Sequence, residues 1–156
     1  MSEQLQSSNL LSSNLVVQVA IVVNDIETTL ENWCKVFGVK NYGYTLTKES
    51  AITGIAFKGK ATEARAKIGF VKLGQVTLEI IEPDHNPSVW REHLDAHGEG
   101  FHHIAFKVDD MGETVAQFAA NGMPLTQKGS YATGEYAYLD TTGPLKMILE
   151  LLHNYK

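Results

Sequence analysis

From Val16 to Val23 nearly every position is apolar, and the run ends at Asn24-Asp25, where a different periodicity begins. So continuous a run predicts a strand covered on both faces. Asn24 and Glu27 then frame a helix start, and Ile26, Leu30, Trp33 and Phe37 form one helical stripe that Gly38 closes. From Tyr42 to Glu82 the pattern changes to strands broken by glycine and charge. Tyr42–Lys48 and Glu63–Leu73 read as strands, Val76–Glu82 more clearly so after a Gly74-Gln75 turn, and Ala51–Thr62 is ambiguous. Pro87 and Gly98 bracket a helix over Ser88–His97, with Val89, Trp90 and Leu94 on its apolar edge.

The pattern then starts again. Gly100–Asp110 alternates as a strand, with Phe101, His103, Ala105 and Lys107 on one face and His102, Ile104, Phe106 and Val108 on the other. Asp110 and Glu113 form a capping box for a helix over 111–121, with Met111, Val115 and Phe118 inward. Strands follow at Pro124–Lys128, Glu135–Thr141 and Leu145–Leu152. Subtracting 85 maps His103 onto Gln18, Ala105 onto Ala20 and Asp110 onto Asp25; subtracting 71 maps Leu149-Glu150-Leu151 onto Leu78-Glu79-Ile80. This is an internal duplication, and the change of offset places extra residues of the first half in Ala51–Lys60. The predicted fold is α+β, two tandem β-α-β-β-β modules forming a curved mixed sheet around a cavity. The expected divisions are a flexible N-terminal tail over 1–14, a first module over 15–83, a connector helix within 84–99 and a second module over 100–156.

Duplication turns scattered polar residues into a constellation. Gln18 and His103 hold equivalent places in the two opening strands, and Glu79 and Glu150 in the two closing strands. Each is phased opposite large apolar neighbours, so all four should meet on the concave face. Two carboxylates in apolar strands are costly to bury without a cation. One imidazole with oxygen donors suits a divalent ion such as Zn, Ni, Co, Mn or Mg. His102, phased to the other face, is expected to be packed or to support a ligand from behind, and His85, His93, His97 and His153 to be solvated. Glu82, three residues from Glu79, could compete with it. Tyr131, Tyr136 and Tyr138 could line the cavity mouth or simply supply strand-forming bulk.

Composition narrows the partners. The chain has 156 residues, 44% of them hydrophobic, with a net charge of −5 and no long basic run. This argues against nucleic acid and anionic membrane as partners. No stretch approaches 18 apolar residues, and the first 14 lack the features of a signal peptide. The single cysteine, Cys34, excludes an intrachain disulfide and suits a cytoplasmic location.

Four segments carry a family resemblance: Gln-Val-Ala-Ile-Val-Val-Asn-Asp at 18–25, Leu-Glu-Ile-Ile-Glu-Pro at 78–83, His-His-Ile-Ala-Phe-Lys-Val-Asp-Asp at 102–110 and Ile-Leu-Glu-Leu-Leu at 148–152. In this order, with their internal symmetry, they resemble the vicinal oxygen chelate superfamily. In that superfamily metal ligands stand where Gln18, Glu79, His103 and Glu150 stand here. Within it the chain looks most like methylmalonyl-CoA epimerase, through Glu82-Pro83, the connector helix and the run into Gly-Phe-His-His-Ile-Ala-Phe. The epimerase pattern has His at the place of Gln18 and Gln at the place of Glu79. The Gln/Glu/His/Glu set is instead that of some glyoxalase I enzymes. An epimerase's second acid would fall at Lys67 by ungapped placement, with Glu63 the nearest carboxylate. The missing first His argues against an extradiol dioxygenase.

The resemblance implies a metal-dependent isomerase moving a proton next to a carbonyl, with Glu150 or Glu79 as the base. The alternatives are a glyoxalase I-like lyase and a metal-free sequestering protein of the bleomycin-resistance kind. It also implies an acyl-CoA or a glutathione thioester or hemithioacetal as the small-molecule substrate, and a homodimer. Lys58, Lys60, Arg65 and Lys67 could steer coenzyme A phosphates or form a solvated strand edge.

Overall fold

The structure, a computed structural model, describes residues 9–156. In chain order the elements are β1 Gln18–Val22, α1 Ile26–Phe37, β2 Tyr44–Leu46, α2 Ser50–Thr53, β3 Ala56–Phe57, β4 Lys60–Ala61, β5 Ala66–Leu73 and β6 Val76–Pro83. They continue as α3 Val89–His97, β7 Gly100–Lys107, α4 Met111–Ala120, β8 Leu125–Tyr131, β9 Gly134–Leu139, α5 Thr142–Leu145 and β10 Ile148–Asn154. Among the described residues no helix is long and apolar enough to cross a membrane.

The strands form one curled ten-stranded sheet in the order β2-β5-β6-β1-β7-β10-β9-β8-β3-β4. β1 pairs in parallel with β6, and β7 in parallel with β10, while β1 and β7 run antiparallel side by side. Each half therefore repeats the other about a pseudo-two-fold axis between β1 and β7, the α+β architecture of paired β-α-β-β-β modules that the repeat predicts.

The helices form because their ends are satisfied. Asp25 Oδ1 accepts from Thr28 N at 3.2 Å and Asp110 Oδ1 from Glu113 N at 3.0 Å, each a cap of about 1 kcal/mol. Glu82 Oε1 takes the free Ile26 N–H at 3.0 Å, while its other oxygen lies 3.3 Å from Lys67 Nζ. α1 buries Ile26, Leu30 and Cys34 against Val71, Leu78 and Ile80, and α4 buries Met111 and Phe118 against Leu139, Leu149 and Leu151. α3 packs on the opposite, concave side, where Val89, Trp90 and Leu94 meet Ala20, Val22, Ile81 and Tyr138.

Two expectations of the fold, the start of the last strand and the strict alternation of β7, need correction. The extra residues of the first half form α2 and the β3–β4 hairpin, and β3 pairs with β8 of the second half. The hairpin turns through Lys58 and Gly59, both at positive φ (52° and 78°), as a type I′ turn requires. The last strand starts at Ile148, not Leu145, because Asp140 Oδ1 accepts from the Thr142 hydroxyl at 2.6 Å and winds α5.

The tail expected over 1–14 lies partly outside the described residues. Leu10 and Leu11 pack against the cluster under α4. The strict alternation expected of β7 also fails. Ala20 pairs with His103 but the next residue, Ile21, pairs with Phe101, so His102 is the extra residue of a β-bulge. The bulge moves Phe101 to the face of Ile21 and leaves His102 beside His103.

Candidate metal centre

Pairing across the four central strands fixes what converges. Ala20 lies opposite Glu79 on one side and His103 on the other. Ala105 lies opposite Gln18 and Glu150. Opposed residues in a sheet point to the same face, so the two alanines, both fully buried, leave a gap that the longer side chains fill. His103 Nε2 stands 3.1 Å from Glu150 Oε1, 3.6 Å from Glu79 Oε1 and 3.4 Å from Gln18 Oε1. One ligand atom each from Glu79, His103 and Glu150 falls within 4.8 Å of the others. All four expected residues are thus brought together, and only Gln18 is half-buried rather than buried.

Burial dominates the electrostatics. Desolvation pushes the Glu150 carboxyl up to about 8, against the opposing effect of a hydrogen bond from the Tyr138 hydroxyl. Desolvation also raises Glu79 well above the usual carboxylate range, and the charge of Glu150 raises it further. The same burial holds His103 down at about 3, so its ring is neutral and offers a lone pair.

Gln18 has two useful orientations. Its oxygen faces only acceptors. Turned over, its amide nitrogen would donate to Glu150 Oε1 at 2.9 Å and Glu79 Oε1 at 3.3 Å. The side chain can therefore bridge two carboxylates or present a fourth oxygen to a cation. One nitrogen and three oxygens around a buried acidic pair fit a divalent ion of the Zn, Ni, Co, Mn or Mg type.

The supporting residues come mostly from the second half. Tyr138 lies opposite Glu150 in the sheet and is fully buried, and its hydroxyl receives the Trp90 indole N–H at 2.9 Å. Tyr136 is partly buried, with its hydroxyl 3.1 Å from Gln127 Nε2, and Tyr131 is bonded to Asn154 at 3.0 Å. Tyr138 is thus inside, while Tyr136 and Tyr131 share its sheet face farther from the centre, opposite Gly129 and Gly134. His102 was expected on the helix face, but the bulge sets its Nδ1 2.7 Å from His103 Nδ1. His93 and His153 are half-buried rather than solvated. His93 packs on His102 with ring centroids 4.8 Å apart, and His153 Nδ1 meets Val108 O at 3.1 Å. His85 and His97 are exposed.

The other candidates fall elsewhere. Lys67 and Glu82 pair with each other on the helix-facing side, so Glu82 does not compete with Glu79. The residues of β5 on the face of Glu79 are Ala66, Ile68, Phe70 and Lys72, none of them acidic. Glu63 is exposed and holds Ser50 Oγ at 2.8 Å. Lys58 pairs with Glu92 at 2.6 Å, and Arg65 Nε donates to Thr47 O. Lys58 and Lys60 line a cleft of about 610 Å³ that contains none of the four central donors.

Comparison with known proteins follows this geometry. The family model described as "Glyoxalase/Bleomycin resistance protein/Dioxygenase superfamily" matches residues 17–138. An uncharacterised protein of Bacillus subtilis, YqjC, is 36% identical over 66 residues; the match covers 41% of this chain and only 47% of that relative. A hypothetical protein from Bacillus halodurans superposes with a TM-score of 0.66 at 21% identity, over 90% of this chain and 94% of that one. Methylmalonyl-CoA epimerase from Mycobacterium tuberculosis gives 0.61 at 18% identity, over 94% and 93% of the two chains. A Streptomyces coelicolor methylmalonyl-CoA epimerase variant in complex with 2-nitronate-propionyl-CoA gives 0.64 at 18%, over 93% and 100%. At these identities the neighbours attest the fold.

Proposed function

Because the chain belongs to the glyoxalase/bleomycin resistance/dioxygenase superfamily, we propose that it is a metal-dependent isomerase transferring a proton α to a carbonyl, with an acyl-CoA thioester of the methylmalonyl-CoA kind as substrate. The observation that carries this reading is the convergence of Gln18, Glu79, His103 and Glu150 on one point, two buried carboxylates beside a neutral imidazole. These four residues would hold a divalent ion. When bound, such an ion supplies Lewis-acid stabilisation of the negative charge that develops on a substrate carbonyl oxygen.

The chain's own residues do the rest. One of the two central carboxylates accepts the α-proton and returns it, since no other acid faces the centre from β5. Burial raises both groups from the ordinary carboxylate range toward neutrality, where a general base works best at physiological pH. Returning the proton to the opposite face of the same carbon gives epimerisation. Gln18, the one half-buried member, marks the side from which substrate arrives.

A glyoxalase I-like reading shares the first step and returns the proton to the adjacent carbon. It is favoured by the Gln/Glu/His/Glu set itself and by the absence of an acid on the concave face of β5. The deciding experiment is solvent deuterium incorporation by metal-reconstituted protein into methylmalonyl-CoA, run beside the glutathione hemithioacetal of methylglyoxal. Exchange into the thioester is the expected result. Exchange confined to the hemithioacetal product moves the assignment to glyoxalase I. Turnover of neither, with metal-free binding of a larger ligand, moves it to sequestration.

A further inference from the structure

We propose that His102 is a positioning residue: from the β7 bulge it holds the His103 ring in the tautomer whose Nε2 lone pair faces Gln18, Glu79 and Glu150. The consequence for metal binding rests on the reading above, but the tautomer itself does not.

The argument runs inward from the connector helix. Val89 is fixed in place, because its N–H donates to Gln127 Oε1 at 2.8 Å and Ser88 Oγ caps α3 by accepting from Arg91 N at 2.9 Å. The Val89 carbonyl lies 3.3 Å from His102 Nε2. A carbonyl can only accept, so His102 carries its proton on Nε2 and leaves Nδ1 as a lone pair. That Nδ1 is 2.7 Å from His103 Nδ1, which must then be the donor. With its proton on Nδ1, the neutral His103 ring has no proton left for Nε2.

The alternative tautomer is close at hand. A proton on His103 Nε2 would point at Glu150 Oε1 only 3.1 Å away and would block that nitrogen as a ligand. The bulge supplies the acceptor that prevents this. In a regular strand the side chains of consecutive residues point to opposite faces, and His102 could not reach His103. Tyr138 closes the pocket from the second half, its ring 5.7 Å from that of His102 and 4.9 Å from that of His103.

The test uses full-length, metal-free protein labelled with ¹⁵N-histidine. Long-range ¹H–¹⁵N correlation reads the protonated nitrogen of each ring. Wild type should show Nε2–H for His102 and Nδ1–H for His103. In His102→Leu, His103 should switch to Nε2–H, and affinity for Co²⁺, read by direct titration, should fall by about 10–100-fold. His102→Asn, whose side-chain oxygen falls near the place of Nδ1, should keep the His103 tautomer and recover most of that loss. Wild-type His103 protonated on Nε2 overturns the proposal. So does equal loss of affinity in the Leu and Asn variants with the tautomer unchanged. A wild type that binds no Co²⁺ overturns the metal reading instead, and the tautomer measurement still decides this one.

Discussion

The two halves place carboxylates at the same point of the same pattern, yet only one half is braced. Glu79 lies opposite Ala20, and Glu150 opposite Ala105, at matching registers of matching strand pairs. On their other sides the halves diverge. Glu79 faces Phe70, a hydrocarbon ring, whereas Glu150 faces Tyr138, whose hydroxyl is tied to the Trp90 indole. β1 brings a neutral amide to the centre, while β7 brings an imidazole backed through a bulge by His102 and the Val89 carbonyl. Both braces lead to α3. The second half thus holds its donors in one geometry, while among the described residues the side chains of Gln18 and Glu79 of the first half find partners only in the centre itself. Under the proposed function, the less tethered Glu79 would be the base of the two candidates, since it has fewer contacts to give up on taking a proton.

The largest expected effect tests the braced half. His103→Ala should abolish measurable divalent-ion binding in titration, beyond the about 10–100-fold cost of losing a supporting residue. Equal, negligible affinity of wild type and variant would end the metal reading. The next contrast sets the two carboxylates against each other. Glu79→Gln should retain the ion, since an amide can ligate. It should lose deuterium exchange by about 10²–10⁴-fold, the usual contribution of a general base. Glu150→Gln should weaken ion binding as well. A Glu150→Gln variant that binds the ion normally but does not exchange, beside an active Glu79→Gln, would reverse the roles.

The third test makes the halves alike. Tyr138→Phe repeats the environment of Glu79 around Glu150 and strands the buried Trp90 N–H, at about 1–3 kcal/mol of stability by urea unfolding. Phe70→Tyr, at a half-exposed site, should move stability by no more than about 0.5 kcal/mol. Equal effects would mean that the asymmetry carries no energy.

The shared part of the design was readable in the chain, and the asymmetric part was not. Repeated caps at Asp25 and Asp110, and polar residues recurring at fixed spacing from Ala20 and Ala105, announce the modules and the four donors, because duplication copies local chemistry. The bulge at His102 has no glycine or proline to announce it, so period-2 reasoning put that ring on the wrong face. It likewise left Phe101 beside His103. Lys67 came under consideration as the counterpart of an acid only because an ungapped placement ignores sheet register, which puts it with Glu82 outside. Trp90 reads as the apolar edge of a helix. That its indole braces Tyr138 depends on α3 filling the concave side, a tertiary fact that no local pattern carries.

The smallest expected effect is also the one that reads both carboxylates together, in metal-free protein, as a function of pH. Glu150, raised to about 8, and Glu79, also raised, hold protons in the folded state that the unfolded chain releases near 4.5. Their stabilising contribution is full below that value and is lost as pH rises through the raised folded values, about 8 for Glu150. The buried histidines act in the opposite sense. His103 is lowered to about 3, and His102 and His93 are lowered too, so their penalty fades as pH rises to 6.5 and is absent above it. The two trends oppose each other between 4.5 and 6.5, but only the carboxylates act from 6.5 to 8. Across that window the melting temperature of metal-free wild type should fall. Each Glu→Gln variant should flatten the slope, and Tyr138→Phe should extend it to higher pH by removing the hydroxyl that favours ionised Glu150. Saturating Co²⁺ should reverse it, since ligation takes the carboxylates deprotonated and releases their protons. A slope that Glu79→Gln leaves unchanged and Glu150→Gln removes would show that the unbraced carboxylate is already ionised without a cation, and the functional contrast between the halves would fall with it.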